Sequence, residues 1–311
     1  MSERVRFAKT GIDVSPISYG TWQLSPKYWG DQDEEQIIAA VRRAHELGVN
    51  LFDTAGAYGD GLAETVLGKA ISELPRDELV ICTKLCWHFH PDGRRYADLS
   101  REYIIRYAEE AMGRMGVDCI DILLCHSYEP LTPPEEIVDG METLVKQGKI
   151  RAYGVSNWTV EQIRLGISAG GNFAVCQPFY SLLRRDIESD VLPFCQANDI
   201  GVMVFSPLHR GLLTGKYKGG ETFSDHRADR PEFQGERFKA ACDAVAKVGE
   251  IGAAYGLTTV QTVLAATVMH PGIHTAIVGV KVPAHIEEAA GAMGKVLSRE
   301  DYFKVRNLLA V

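Results

Sequence analysis

Four side chains that could do acid–base chemistry stand at or just after the ends of short apolar runs. They are Asp53, Tyr58, Lys84 and His126. An ammonium group beside a tyrosine lowers the pKa of the phenol, because the positive charge favours the phenolate. A carboxylate beside the lysine would keep it charged and oriented. If the four groups converge, the tyrosine could protonate a carbonyl oxygen while a neutral histidine hydrogen-bonds the same atom.

Each of these residues also has a structural interpretation. Asp53 could cap a turn after a strand, Tyr58 could be an ordinary loop aromatic, and His126 could be a hydrogen-bonded core histidine. Lys84 is harder to explain in this way, because lysine is rarely buried without a partner. The combination, with each group at the same end of a different apolar run, favours a catalytic site.

The elements that must position these groups are short β-branched runs typical of buried strands. There are eight such runs, at 16–19, 50–53, 79–84, 120–125, 150–155, 174–177, 200–205 and 275–278. Amphipathic stretches with helical spacing lie between them, such as the stripe through Ile104, Ala108 and Met115. Such alternation indicates parallel strands joined by right-handed crossovers.

Two architectures fit this alternation, an open doubly wound sheet and a closed barrel. Eight units favour the barrel. The turn after the first run, residues 20–24, also lacks the G-x-G-x-x-G pattern of a dinucleotide-binding sheet. We therefore predict an α/β fold, an eight-stranded parallel (β/α)8 TIM barrel, that forms a single domain over residues 1–311. Active-site groups in such barrels lie at the carboxyl ends of the strands, which is where Asp53, Lys84 and His126 fall.

Glycines mark several expected helix ends. Gly48, Gly148 and Gly201 stand just before or at the start of a predicted strand. A left-handed helix cap is expected at each of them, because glycine adopts positive φ without a Cβ clash.

Composition excludes several classes of function. The chain has 311 residues and a net charge of −8, with 33 basic and 41 acidic residues. This balance argues against binding to nucleic acid or to an anionic membrane. No signal-peptide pattern opens the sequence, and the seven cysteines contain no C-x-x-C pair. We therefore predict a cytoplasmic protein with no metal site.

One stretch, residues 255–280, lacks Asp, Glu, Lys and Arg and is long enough to suggest a membrane span. Residues 270–272 read His-Pro-Gly, and this sequence would end a helix in the middle of the stretch. We predict a buried helix, a turn and a buried strand.

Taken with their surroundings, these motifs resemble those of the aldo-keto reductases over nearly the whole chain. The matching segments are FDTAGAYG at 52–59 with Glu64, CTK at 82–84, DILLCH at 121–126, GVSNW at 154–158, QPFYS at 177–181 and SPLHRGLLTGK at 206–216. The last segment is similar to a bacterial branch that includes inositol-operon reductases and is related to potassium-channel β subunits. The resemblance implies a (β/α)8 barrel with an N-terminal β-hairpin over 7–16 and a long loop after strand 7.

The resemblance also implies an activity. Members reduce aldehydes and ketones by hydride transfer from NADP(H), and their catalytic tetrad matches Asp53, Tyr58, Lys84 and His126, with the tyrosine as general acid. The implied partner is a small-molecule carbonyl substrate. An alternative is a cofactor-binding redox sensor or partner-binding protein with slow turnover. A third possibility, an unrelated barrel with a Schiff-base lysine, is far less favoured.

The cofactor residues follow from the same resemblance, position by position. Those that match the nicotinamide end are Ser156, Asn157, Gln177 and Phe205. Those that match the diphosphate segment are Ser206, Leu208, Arg210 and Lys216. Those that match the adenosine-phosphate motif are Gly279, Lys281, His285 and Glu288. Lys281 could neutralise a 2′-phosphate, but His285 and Ala289 depart from the usual pattern, so NAD(H) stays open beside NADP(H).

Two further segments carry predictions. Residues 209–239 hold seven Lys or Arg and five Asp or Glu without clear periodicity, which favours a lid loop. An apolar, aromatic substrate pocket is predicted from Trp22, Trp29, Trp87 and Tyr128. Arg94 and Arg95 could attract an anionic substrate, but Asp92 and Asp98 lie nearby in the sequence and weaken that expectation.

Overall fold

The computed structural model describes residues 4–89, 92 and 94–310. The strands in this part of the chain are β1 (Val5–Phe7), β2 (Ile12–Val14), β3 (Ile17–Gly20), β4 (Leu51–Asp53), β5 (Val80–Leu85), β6 (Trp87–Phe89), β7 (Arg95–Ala97), β8 (Ile120–Cys125), β9 (Ile150–Ser156), β10 (Val175–Gln177), β11 (Gly201–Phe205) and β12 (Thr275–Gly279). The α-helices are α1 (Pro26–Trp29), α2 (Glu34–Glu46), α3 (Leu62–Ile71), α4 (Arg101–Met115), α5 (Pro134–Lys146), α6 (Val160–Ser168), α7 (Val191–Ala197), α8 (Gly235–Ala253), α9 (Thr259–Val268), α10 (Pro283–Ala290) and α11 (Arg299–Leu308).

Eight of the strands form a closed parallel barrel, in the order β3-β4-β5-β8-β9-β10-β11-β12, with β12 pairing back onto β3. Every predicted strand run lies on one of these barrel strands, and the run at 120–125 coincides with β8. The (β/α)8 prediction is therefore confirmed. Because the strands are parallel, their carboxyl ends meet at one mouth, and that mouth positions the candidate site.

An antiparallel hairpin, β1–β2, lies at the opposite end of the barrel, with Val5 paired to Val14. Its Phe7 is fully buried and packs with the lower barrel residues Leu51, Val80 and Val175. A Cβ on Gly201 would lie 2.5 Å from the Phe7 ring, so this position needs glycine for space. The predicted left-handed cap at Gly201 is therefore wrong, since Asp199, with φ +53°, takes that conformation instead.

A second hairpin, β6–β7, follows β5 at the mouth and was not foreseen from the sequence. Its strands pair antiparallel, with Trp87 opposite Ala97. This hairpin extends the wall of the mouth beyond the barrel strands.

The uncharged stretch at 255–280 forms α9 and β12, with the His-Pro-Gly turn between them, as predicted. Within the ranges described, no helix is both long and apolar enough to cross a membrane.

The segment after β11, which is predicted to be a lid loop, is irregular over residues 209–234. It holds two short 3-10 turns, His209–Thr214 and Pro231–Phe233. Helix α8 begins at Gly235, so the last five residues of the predicted loop are helical. Phe233 and Phe238 pack in a small apolar cluster of their own, which fixes this segment against α8.

Candidate active site

The centre of the site is a buried ion pair at the mouth of the barrel. The ammonium Nζ of Lys84 donates to Asp53 Oδ2 at 2.8 Å, to the Thr54 carbonyl oxygen at 2.7 Å and to the Tyr58 hydroxyl at 3.2 Å. The other carboxylate oxygen of Asp53 accepts from Gln177 Nε2 at 2.7 Å. Strand ends β4, β5 and β10 thus bring together residues that are far apart in sequence.

Burial and charge act against each other in this pair. Burial is the strongest single influence on the pKa of Lys84 and lowers it, but Asp53, by its charge and its hydrogen bond, together with Tyr58 and Cys82, raises it above its usual value. Burial raises the pKa of Tyr58, and the Lys84 charge opposes that rise without cancelling it. The lowered phenol pKa expected from the sequence is therefore wrong as a net shift, because burial outweighs the ammonium. At neutral pH Tyr58 carries its proton and Lys84 carries its charge.

His126 lies beside the phenol, with its ring edge-on to the Tyr58 ring at a centroid distance of 5.8 Å. Burial, then the charges of Lys84 and Arg95, lower its pKa to about 3, so the imidazole is neutral. Its backbone carbonyl accepts a hydrogen bond from Asn157 Nδ2 at 3.0 Å. This bond links Asn157, one of the residues predicted to bind the nicotinamide, directly to the tetrad.

A hydrogen-bond network behind the tetrad holds its backbone in place. The Tyr107 hydroxyl lies 2.7 Å from Glu64 Oε1 and 2.8 Å from the Lys84 carbonyl oxygen. It also accepts from the backbone nitrogen of Gly56 at 2.8 Å, in the loop that carries Tyr58. A Cβ on Gly56 would lie 2.7 Å from that hydroxyl, so glycine is required there.

Sequence reasoning included Glu64 in a motif but missed Tyr107. The signal was available, because Tyr107 lies on the apolar face of α4, where its hydroxyl needs a partner.

The tetrad opens into a cavity of about 860 Å³. Asp53, Tyr58 and His126 line it, while Lys84 lies behind Tyr58. All twelve predicted cofactor residues line it as well, namely Ser156, Asn157, Gln177, Phe205, Ser206, Leu208, Arg210, Lys216, Gly279, Lys281, His285 and Glu288. The cavity therefore joins the tetrad to the whole of the predicted cofactor path.

The residues predicted to form the substrate pocket divide into two groups. Trp22, Trp29 and Trp87 line the cavity. Tyr128 lies outside that lining and packs edge-on against Trp158 at a centroid distance of 5.1 Å.

Positive charge dominates the cavity in this acidic protein. Seven Lys or Arg residues line it against three Asp or Glu residues, as far as the structure describes the chain. Burial, followed by the charge of Arg230, lowers the pKa of Arg210 to about 10. Arg210 Nε is buried without a hydrogen-bond partner, and Glu232 lies 3.7 Å from its Nη1. Such an under-compensated cation is suited to a bound anion.

The backbone of this region is also unusual. Asn157, Ser206 and Arg210 have φ values of +60°, +57° and +55°, which non-glycine residues adopt at some cost. At the end of the cavity away from the tetrad, Lys281 Nζ lies 4.9 Å from the centre of the Trp29 ring. The predicted adenosine-phosphate motif, which includes Lys281, therefore contacts the predicted aromatic pocket. Residues in strained conformations thus cluster along the predicted cofactor path.

Comparisons with known proteins agree with this geometry. Residues 16–310 match the family described as the Aldo/keto reductase family. The chain is 34% identical to Aldo-keto reductase YhdN of Bacillus subtilis, over 99% of this chain and 93% of that protein. It is 32% identical to the NADH-specific methylglyoxal reductase of Escherichia coli, over 98% of each chain.

Solved structures show the same fold. The glycerol dehydrogenase AKR11B4 from Gluconobacter oxydans superposes with a TM-score of 0.92 at 28% identity, over 99% of this chain and 95% of that chain. An aldo-keto reductase from Klebsiella pneumoniae in complex with NADPH gives a TM-score of 0.77 at 30% identity, over the same shares. This chain belongs to the aldo/keto reductase family.

Proposed function

We propose that the protein reduces aldehydes and ketones to alcohols with NADP(H), with Tyr58 as the general acid and residues 1–311 as one catalytic domain. The observation that carries this proposal is the Tyr58 hydroxyl, 3.2 Å from the buried Lys84 ammonium and lining the cavity. A protonated phenol beside a fixed cation is suited to giving up its proton to a developing oxyanion.

The cavity fits a dinucleotide. The unpartnered, buried Arg210 Nε and the surplus of cations suit a diphosphate. Ser156, Asn157 and Gln177 would hold the carboxamide of the nicotinamide, and Phe205 would lie against its ring. When bound, the reduced nicotinamide supplies the hydride that reaches the carbonyl carbon.

The chain's own residues supply the proton and the charge control. Tyr58 donates its hydroxyl proton to the carbonyl oxygen, which becomes the alcohol oxygen, and the phenolate is left beside Lys84. The Lys84 ammonium stabilises that phenolate, and Asp53 keeps the ammonium in place. The neutral imidazole of His126 donates a hydrogen bond to the same carbonyl oxygen and sets its direction.

We propose NADPH as the preferred reductant, with NADH as a weaker substitute. Burial, then the charge of Arg227, lowers the pKa of Lys281, so an added anion such as a 2′-phosphate would relieve this clustering of cations. Fluorescence titration should show tighter binding of NADPH than of NADH, and Lys281→Ala should reduce the difference about fivefold. Equal affinities in the unmodified protein would contradict this role.

We also place the protein in the cytoplasm with a small-molecule substrate. The seven cysteines are unpaired thiols in the structure, and six of them are buried, which suits a reducing compartment.

The activity itself is tested with an aromatic aldehyde. Steady consumption of NADPH with formation of one alcohol per NADPH supports the proposal. Tight NADPH binding without turnover of any aldehyde or ketone in a broad panel would contradict it.

A further inference from the structure

Arg95 places a second positive charge near the reacting end of the cavity, on the β6–β7 hairpin. Its guanidinium lies over the indole of Trp87, 4.7 Å from the ring centre, and both residues line the cavity. Stacking on an indole holds the guanidinium flat while its N–H groups point outward from the edge. The hairpin therefore presents a fixed cation at the cavity wall.

The acidic neighbours that weakened this expectation from sequence are engaged elsewhere. The Asp98 carboxylate lies 3.1 Å from His88 Nε2, and its Oδ1 accepts from the backbone of Ser100. Asp92 pairs with Arg94, whose Nε donates to it at 2.7 Å. In the part of the chain that the structure describes, no carboxylate forms an ion pair with Arg95. Its guanidinium is thus open to an external anion.

The position of Arg95 relates it to the chemistry. Tyr58 and His126 line the same cavity as Arg95, and the Arg95 charge is one of the causes that lower the pKa of His126. A substrate whose carbonyl oxygen lies between Tyr58 and His126 would have its remaining atoms in this part of the cavity. The planar edge of a guanidinium matches a carboxylate through two parallel hydrogen bonds.

We propose that Arg95 binds a carboxylate on the substrate, so that the preferred substrates are aldehydes or ketones with a carboxylate a few atoms from the carbonyl. This inference rests on the proposed reductase function. It assigns Arg95 as a residue that determines specificity, distinct from the tetrad and from the cofactor cations.

The test compares acids with their uncharged methyl esters. The pairs are para-formylbenzoate and its methyl ester, and succinic semialdehyde and its methyl ester, each followed by NADPH oxidation. The unmodified protein should show a higher kcat/KM for the acid of each pair, and added salt should reduce this preference. Arg95→Gln should lower the acid-to-ester ratio about five- to tenfold.

Arg94→Gln is the matched control, because Arg94 is a neighbouring arginine on the same hairpin that already pairs with Asp92. It should leave the acid-to-ester ratio unchanged. The inference is overturned if the unmodified protein does not favour the acids, or if Arg95→Gln and Arg94→Gln change the ratio equally. Turnover of either member of a pair reports the reductase function separately, so the absence of turnover with both the acids and the esters would contradict the proposed function rather than the role of Arg95.

Discussion

Two regions of the cavity differ in how their charges are paired: the reacting corner, around Lys84 and Asp53, and the cofactor end, around Arg210. In the corner, Lys84 has three hydrogen-bond partners and no exposed side-chain surface, and Asp53 is held from both oxygens. At the cofactor end, Arg210 is buried with an unpartnered Nε and with Glu232 only at 3.7 Å. The charges in the corner are fully paired within the protein, whereas Arg210 at the other end is only partly paired.

Because of this difference, substitutions in the corner should mainly change the free energy of unfolding, whereas substitutions at the cofactor end should mainly change the affinity for NADPH. Removing one member of a satisfied buried pair leaves a charge without compensation, and this costs folding free energy. Removing an under-compensated cation relieves repulsion in the empty protein and costs affinity instead. The two regions should therefore respond differently to matched substitutions.

Lys84→Met should give the largest combined effect. It removes the cation that stabilises the Tyr58 phenolate, so kcat should fall about a thousandfold. It also leaves the Asp53 carboxylate buried without its ammonium partner, which should lower the free energy of unfolding by about 3 kcal/mol. NADPH oxidation and urea denaturation measure the two changes.

The double variant Asp53→Asn with Lys84→Met is the control for the charge argument. It removes both charges, so it should be more stable than Lys84→Met alone, while staying inactive. Equal destabilisation in the single and double variants would mean that lost packing, and not the unpaired carboxylate, sets the cost.

Arg210→Met should show the opposite pattern. NADPH affinity should fall about tenfold, because a charge-assisted contact to the diphosphate is lost. The free energy of unfolding should stay equal or rise, since burial and Arg230 already depress the pKa of Arg210 to about 10. A loss of stability as large as that of Lys84→Met would erase the distinction between the two regions.

The pH dependence should be the smallest effect. An ordinary histidine becomes charged as the pH falls through about 6.5, but His126, with its pKa at about 3, stays neutral there. Burial raises the pKa of Tyr58, so the phenol keeps its proton as the pH rises toward 9. At saturating NADPH, kcat for carbonyl reduction should therefore be flat from about pH 6 to 9. A transition centred near pH 6.5 would contradict the neutral, buried His126.

The same contrast explains which features could be read from the sequence. Barrel strands were predictable because parallel strands buried on both faces are continuous apolar runs, as at 120–125. The convergence of Asp53, Lys84 and His126 followed from the rule that active groups lie at the carboxyl ends of barrel strands. Local chain chemistry was sufficient for these features.

Features that depend on long-range packing were not predictable in this way. The Phe7 ring that fills the space at Gly201 comes from a hairpin far away in the sequence. The left-handed residue is Asp199 because helix α7 already ends at Ala197. The β6 and β7 strands have only three residues each, which is too short for their alternation to stand out in the sequence. The contact between Asp98 and His88, which bears on whether Arg95 is available, crosses that hairpin and depends on its pairing. The direction of the Tyr58 pKa shift could not be predicted either, because it depends on how deeply the hydroxyl is buried.

The most direct test is single-turnover NADPH oxidation by Tyr58→Phe with para-formylbenzoate methyl ester, at saturating cofactor, beside an NADPH titration of the same variant. The removed hydroxyl is the proposed proton source, so the rate of the chemical step should fall about a thousandfold while NADPH affinity is retained. A single-turnover rate within about tenfold of the unmodified protein would contradict the assignment of Tyr58 as the general acid.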